Sequence, residues 1–137
     1  VDDEIGDILA RTRRVAVVGA SDKPERPSHD VMRFLIAHGY EVTPVNPGLA
    51  GKEILGRRVV ASLAEAAPLD MVDVFRASDR AGAAADEAAA LGARTVWMQL
   101  GVVDEAAAAR ARKAGASVVM DRCPKIEILR RGLPPVG

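Results

Sequence analysis

The chain is poor in the residues that staple or metallate small proteins: it has one cysteine, Cys123, and two histidines, His29 and His38, in 137 residues. A lone cysteine forms neither an internal disulfide nor a multi-cysteine metal site, so a reducing compartment, the cytoplasm, is expected and no metal is. Charge of one sign is lacking as well. Lys plus Arg and Asp plus Glu both number 19, giving a formal net charge of zero, and no basic arm or acidic tail stands out. Without that excess, neither nucleic acid nor an anionic membrane surface is expected as a partner. Apolar runs stop well short of the 18 residues or so that a bilayer span requires, and nothing like a signal peptide precedes the first apolar strand. What the chain has is 49% hydrophobic and 28% charged residues. At this size folding removes roughly 68% of the unfolded surface from water, so residues 1–137 are expected to form a single domain around one unaided core.

Hydrophobic periodicity divides that domain into alternating strands and helices. Residues 1–13 carry Ile5, Ile8 and Leu9 at helical spacing behind Asp2, Asp3 and Glu4, which predicts an N-terminal helix. Val15 to Val18 is a continuous apolar run ending at Gly19, the pattern of a strand buried on both faces. Ser28 is expected to cap the next helix, which carries Val31, Leu35 and His38 on one face and stops at Gly39. A second strand is expected over 41–45. A Gly- and Pro-rich loop follows over 46–59, with one short extended piece near Ile54, and Ser62 caps a short helix to Ala67. The third, fourth and fifth strands are expected at 71–75, 95–99 and 117–120. The intervening alanine-rich helices are capped by Ser78 and started by Asp104, and a last helix runs from Pro124 to Arg131. A flexible tail is expected over 132–137, where Pro134 and Pro135 lie. Five buried strands alternating with helices define an α/β domain, three layers around a five-stranded parallel sheet.

In such a sheet ligands bind beyond the carboxyl ends of the strands, where strand order reverses. The segment after the first strand runs Gly19, Ala20, Ser21, then through Lys23 and Arg26 to Ser28. Small residues admit a ligand to the backbone, a helix start offers N–H groups and a partial positive charge, and two side chains add full charges. A phosphate site and a plain solvated loop before a helix are both open readings. The usual dinucleotide fingerprint is missing: only Gly19 of its glycines is in place, and the second strand ends in Val45, Asn46 and Pro47 with no acid for a ribose, which argues against NAD. A receiver domain would need carboxylates where Val17, Val18 and Gly19 stand. There is no G-x-x-x-x-G-K-[ST] loop for a nucleoside triphosphate either. Cys123, between Asp121, Arg122 and a helix start, reads either as an activated thiol or as a small buried apolar side chain. His38 reads as a helix cap, and His29 as a ligand contact or a helix-start residue.

The motifs VAVVGAS, RPSHDV, GYEVTPVNPG, SLAEA, DMVDVFR, VWMQLGV and VVMDRCPK occur in an order that resembles the stand-alone CoA-binding proteins. These are small relatives of the nucleotide-binding domain of succinyl-CoA synthetase α subunits, and the resemblance runs from about Arg13 to Arg130. It implies a Rossmann-like fold and coenzyme A, or an acyl-CoA, as ligand. It implies that Gly19, Ala20 and Ser21, with Lys23, Arg26 and Ser28, meet the phosphates. Asn46 and Pro47 would border the adenosine, with Lys52 near its charged phosphate. Phe75 and Arg76, then Met98, Gln99 and Leu100, would line the remaining wall. The residues themselves leave Pro47 open as a turn former and Phe75 as a core residue. Arg76 and Gln99, polar groups directly after buried strands, point to the crevice. The synthetase's second domain, with its phosphorylated histidine, has no counterpart in these residues, so its ligase activity is not carried over. The expected function is CoA or acyl-CoA binding by a carrier, sensor or regulatory protein without its own catalysis. The alternatives are a small acyl-CoA- or NADP-dependent enzyme, or an accessory subunit lending a CoA site to a larger complex; a homodimer is the other expected association.

Overall fold

Strands buried on both faces need helices on both sides, and the computed structural model, which describes residues 3–137, has that layering. In chain order the strands are β1 Arg14–Val18, β2 Glu41–Val45, β3 Glu53–Ile54, β4 Arg57–Arg58, β5 Met71–Val74, β6 Thr95–Met98 and β7 Ser117–Val119. Five of them form one sheet in the order β2-β1-β5-β6-β7, parallel throughout. The chain therefore moves outward from β1 to β2 and then crosses back to β5 on the other side of β1. That reversal puts the switch point between the carboxyl ends of β1 and β5. The fold is Rossmann-like α/β, as the periodicity predicts.

The helices are α1 Glu4–Arg11, α2 Pro27–Ala37, α3 Ser78–Ala90, α4 Glu105–Lys113 and α5 Pro124–Arg131. Because strand side chains alternate, the sheet divides its apolar residues between two layers. Val15, Val17, Met71, Trp97 and Val119 pack with Ile8 and Leu9 of α1, Met32 and Leu35 of α2 and Ile128 of α5. Ala16, Val18, Val72, Val74, Val96 and Met98 pack with Ala81, Ala85 and Ala88 of α3 and Ala107, Ala108 and Ala111 of α4. The alanines that read as scaffold thus form a helix pair whose small side chains allow close approach. Trp97, fully buried, directs its Nε1–H to the Arg122 carbonyl at 2.8 Å, which satisfies its polar atom. Arg131 joins the two ends of the chain by pairing with Asp3 at 2.6 Å and with the buried carboxylate of Glu127. No helix among the described residues is long and apolar enough to cross a membrane.

Several local expectations are corrected. The N-terminal helix begins at Glu4; the part expected over residues 1–2 lies outside the described residues. Helix α2 starts at Pro27 behind Arg26, so Ser28 is buried in its first turn and caps nothing. Ser78 likewise lies inside α3, behind Ala77. Asp104 does cap α4, accepting from the Ala107 N–H at 2.9 Å. The loop over 46–59 holds two short antiparallel strands rather than one extended piece. The tail expected to be flexible is laid back on the domain: the Val136 N–H donates to the His38 carbonyl at 2.9 Å, and His38 Nε2 lies 3.0 Å from the Leu133 carbonyl. Leu133 and Val136 are apolar and find the edge of the α1–α2 layer, which the two neighbouring prolines do not prevent.

Candidate functional site

Gly19 follows β1 with φ +88°, and a Cβ there would lie 2.3 Å from the carbonyl oxygen of Phe75, the first residue after β5. Only a residue without a side chain lets the two backbones meet so closely at the switch point. The Gly19 N–H donates to Val45 at 3.1 Å and the Phe75 N–H to Val18 at 2.8 Å. Asn46, directly after β2, donates from Nδ2 to the Ala20 carbonyl at 2.8 Å, and its Oδ1 accepts from the Gly48 N–H at 2.9 Å. The loops after β2, β1 and β5 are thereby bonded into one floor.

Over that floor the segment between β1 and α2 arches with its own internal bonds. Ser21 Oγ accepts from the Lys23 N–H at 3.1 Å, and the Lys23 carbonyl accepts from the Arg26 N–H at 3.0 Å. Lys23 and Arg26 are exposed, and among the described residues neither forms an ion pair within 4.0 Å. Their charges are left to the cavity that they border together with Gly19, Ala20, Ser21, Asp22, Pro27, Ser28, Asn46, Gly48, Leu49 and Phe75, a space of about 490 Å³ in which the two cations outnumber the single carboxylate of Asp22. The start of α2 adds the partial positive charge of a helix N-terminus beside it.

A second cavity of about 300 Å³ continues along the sheet edge, lined by Pro27, Phe75, Arg76, Gln99, Leu100 and Val102. Pro27 and Phe75 line both cavities, so the two are lobes of one cleft. The loop after β6 that walls the second lobe is tied down twice. Asp121, itself at φ +57°, accepts the Gly101 N–H on Oδ1 at 2.7 Å, and Ser78 Oγ accepts the Val103 N–H at 3.0 Å while its hydroxyl reaches the Gly101 carbonyl at 3.3 Å. A non-glycine residue held in that left-handed region costs on the order of 1 kcal/mol or more, which this bond offsets. Ser78, read from the sequence as a cap, therefore serves the cleft instead.

Beneath the second lobe lies a group that the apolar pattern of its strand concealed. Asp73 is fully buried on β5, and with the carboxamide of Gln99 turned so that both groups are satisfied, the amide nitrogen donates to its two oxygens at 3.0 and 3.3 Å. Burial pushes the Asp73 carboxyl well above the ordinary carboxylate value, while the two bonds from Gln99 favour its charged form and oppose that rise. The signal was an acid inside DMVDVF, a run otherwise suited to two-sided burial, where an unpaired charge is costly. His29, also buried, keeps its Nδ1 without a partner among the described residues.

Of the residues expected at the site, Gly19, Ala20, Ser21, Lys23, Arg26, Ser28, Asn46, Phe75, Arg76, Gln99 and Leu100 all line the cleft. Phe75 both packs on the core and separates the lobes, so its two readings coexist. Met98 does not line it: strand alternation turns its side chain into the α3–α4 layer, where it is fully buried. Pro47 starts a short 3-10 turn with its ring exposed, and Gly48 and Leu49 reach the cavity in its place. Lys52 stands exposed beyond that turn, at the start of the β3–β4 hairpin and outside both linings. Cys123 is buried in the α1–α2–α5 layer at the start of α5.

A basic, backbone-lined lobe joined to a largely apolar one that carries the Gln99 amide and Arg76 can hold a phosphate-bearing ligand with a long, mostly apolar arm. Comparison with known proteins agrees. The family described as CoA binding domain matches residues 13–128. An uncharacterized protein of Bacillus subtilis, YneT, is 43% identical over 124 residues, 90% of each chain. A solved structure from Thermus thermophilus, cell-free ID.343, is 38% identical with a TM-score of 0.87, covering 93% of this chain and 96% of that one. A hypothetical protein from Pyrococcus horikoshii is 37% identical with a TM-score of 0.87, over 95% and 91% of the two chains. Sequence, fold and cleft converge on one assignment: the chain belongs to the CoA-binding domain family.

Proposed function

We propose that the two-lobed cleft holds CoA or an acyl-CoA, with the phosphates over the segment from Gly19 to Ser28 and the pantetheine arm extending past Phe75 into the second lobe. The observation that carries this reading is the sharing of Pro27 and Phe75 by a basic lobe and an apolar lobe, laid side by side along the carboxyl edge of the sheet. Family membership supports CoA binding in general. The residues present fit the ligand: the Ser28 N–H at the start of α2 and the charges of Lys23 and Arg26 suit phosphate oxygens, and the Asn46 turn with Leu49 offers a surface for the adenosine. Small residues at Gly19 and Ala20 let the phosphates approach the backbone.

The role we assign is that of a carrier, sensor or regulatory protein. Cys123, the strongest nucleophile in the sequence, is packed in the core instead of lining the cleft, which supports binding over covalent catalysis. A second reading, an accessory chain that lends its site to a larger enzyme, draws on Leu100 and Val103. Both are exposed apolar side chains on the loop walling the second lobe, at 54% and 42%.

The test is calorimetric titration with CoA, with NAD, NADP and ATP alongside. CoA binds and the others do not. Replacing Lys23 and Arg26 together by Ala lowers CoA affinity by about 2–4 kcal/mol at low salt, since hydrogen bonds to charged groups contribute roughly 1.5–3 kcal/mol each and exposure reduces that. The variant also shows a shallower salt dependence. Unchanged affinity in the double variant, or preference for NADP, overturns the reading.

A further inference from the structure

The second lobe is walled by Pro27, Phe75, Leu100 and Val102 with Arg76 beside them, and Gln99 brings an amide to its base while being only 6% exposed; Arg76 can only donate, so Gln99 supplies the side-chain acceptor. Asp73 lies directly below, in register between Val17 of β1 and Trp97 of β6. Both neighbours are apolar, so an apolar residue would suit the position, and a buried carboxyl group there is costly unless it is hydrogen-bonded. Its partner is the amide nitrogen of Gln99, which spans both carboxyl oxygens at 3.0 and 3.3 Å. While Asp73 is ionised and can only accept, that nitrogen is committed downward and the carbonyl oxygen on the same carbon is directed away from Asp73.

We infer that Asp73 is a positioning residue that fixes Gln99 with its carbonyl oxygen toward the second lobe, where it accepts a hydrogen bond from an amide N–H of the pantetheine arm. This rests on the CoA reading and adds to it how the arm is recognised. A plain alkyl arm would leave the Gln99 oxygen desolvated and unpaired, whereas pantetheine carries two amides. An acceptor held in place thus selects for an amide-bearing arm in a lobe whose other walls are largely apolar.

The experiment compares CoA with its nucleotide half, phospho-ADP lacking pantetheine, on the full chain. The wild type binds both. Gln99→Met, close in shape but without the acceptor, loses about tenfold in CoA affinity, as expected for one buried hydrogen bond, and binds the nucleotide half within twofold of the wild type. Asp73→Val reproduces that selective loss, while Asp73→Asn, whose own carbonyl still accepts from Gln99, keeps CoA affinity within about threefold. Should Asp73→Val fail to fold, Gln99→Met and Asp73→Asn decide between them. Wild-type CoA affinity in Gln99→Met, an equal loss for both ligands, or a tenfold loss in Asp73→Asn overturns the inference alone. Failure of the wild type to bind either ligand overturns the proposed function instead.

Discussion

Replacing Gly19 by Ala tests whether the contact between the loops after β1 and β5 builds the cleft. Gly51 supplies the control, because its φ of +87° nearly equals the +88° of Gly19 while a Cβ added there meets nothing within 4 Å. Both substitutions carry the left-handed penalty, about 1–2 kcal/mol. Both also gain the same fraction of a kcal/mol from a less flexible unfolded chain, so that effect cancels. Only Gly19→Ala drives a methyl to 2.3 Å from the Phe75 carbonyl oxygen and 3.1 Å from its carbon. Those are backbone atoms that cannot swing aside like a side chain, and overpacking of this kind adds about 1–3 kcal/mol. For a domain of this size each kcal/mol lowers Tm by about 3–4 °C, so Gly19→Ala melts about 3–12 °C below Gly51→Ala. Thermal unfolding followed by circular dichroism, in one buffer and without ligand, reads the difference. Titration with CoA then shows weaker binding in Gly19→Ala alone, because the floor of the proposed phosphate lobe has shifted. Equal melting temperatures for the two variants would refute the close approach and with it the geometry assigned to the cleft.

Two further outcomes follow from the same floor and the group beneath the second lobe. Asn46→Ala removes the bonds to Ala20 and Gly48 together and costs about 1–3 kcal/mol in urea unfolding, with a parallel loss of CoA affinity; a variant as stable as the wild type would show that the two loops do not depend on it. For Asp73 the folded carboxyl titrates well above the ordinary value of 3.8. The unfolded chain therefore gives up its proton first as pH rises. The stability that the neutral form contributes is complete below the unfolded value and is lost, at up to about 1.4 kcal/mol per pH unit, on the way up to the folded one. Asp73→Asn has no such slope, so denaturant unfolding between about pH 4 and 7 shows the wild type losing stability relative to the variant, and a constant difference would contradict the burial of an acid there.

Hydrophobic periodicity was enough for the five strands of the main sheet, for the helices between them and for the edge where the cleft lies. Two-sided apolar runs such as Val15 to Val18 have no other stable place than the middle of a layered parallel sheet, and the ligand edge follows from the direction of the strands. Lys23, Arg26, Arg76 and Gln99 were legible because each follows a buried strand on its carboxyl side. Side chains whose role depends on a residue far along the chain were not. Ser78 has the local features of a cap, yet its hydroxyl bonds the loop at Gly101 and Val103. Leu133 and Val136 follow a helix stop and stand beside two prolines, yet His38, nearly a hundred residues earlier, receives them. Met98 and Gln99 are adjacent, and alternation sends one into the α3–α4 layer and the other to the cleft, a distinction that needs the phase of the strand as well as its existence. The strand order β2-β1-β5-β6-β7 was decided by packing between distant segments, and only that order places Asp73 under Gln99 and Gly19 against Phe75. Local periodicity encodes burial one segment at a time, whereas a binding site is made of neighbours that the chain brings together only when its layers close.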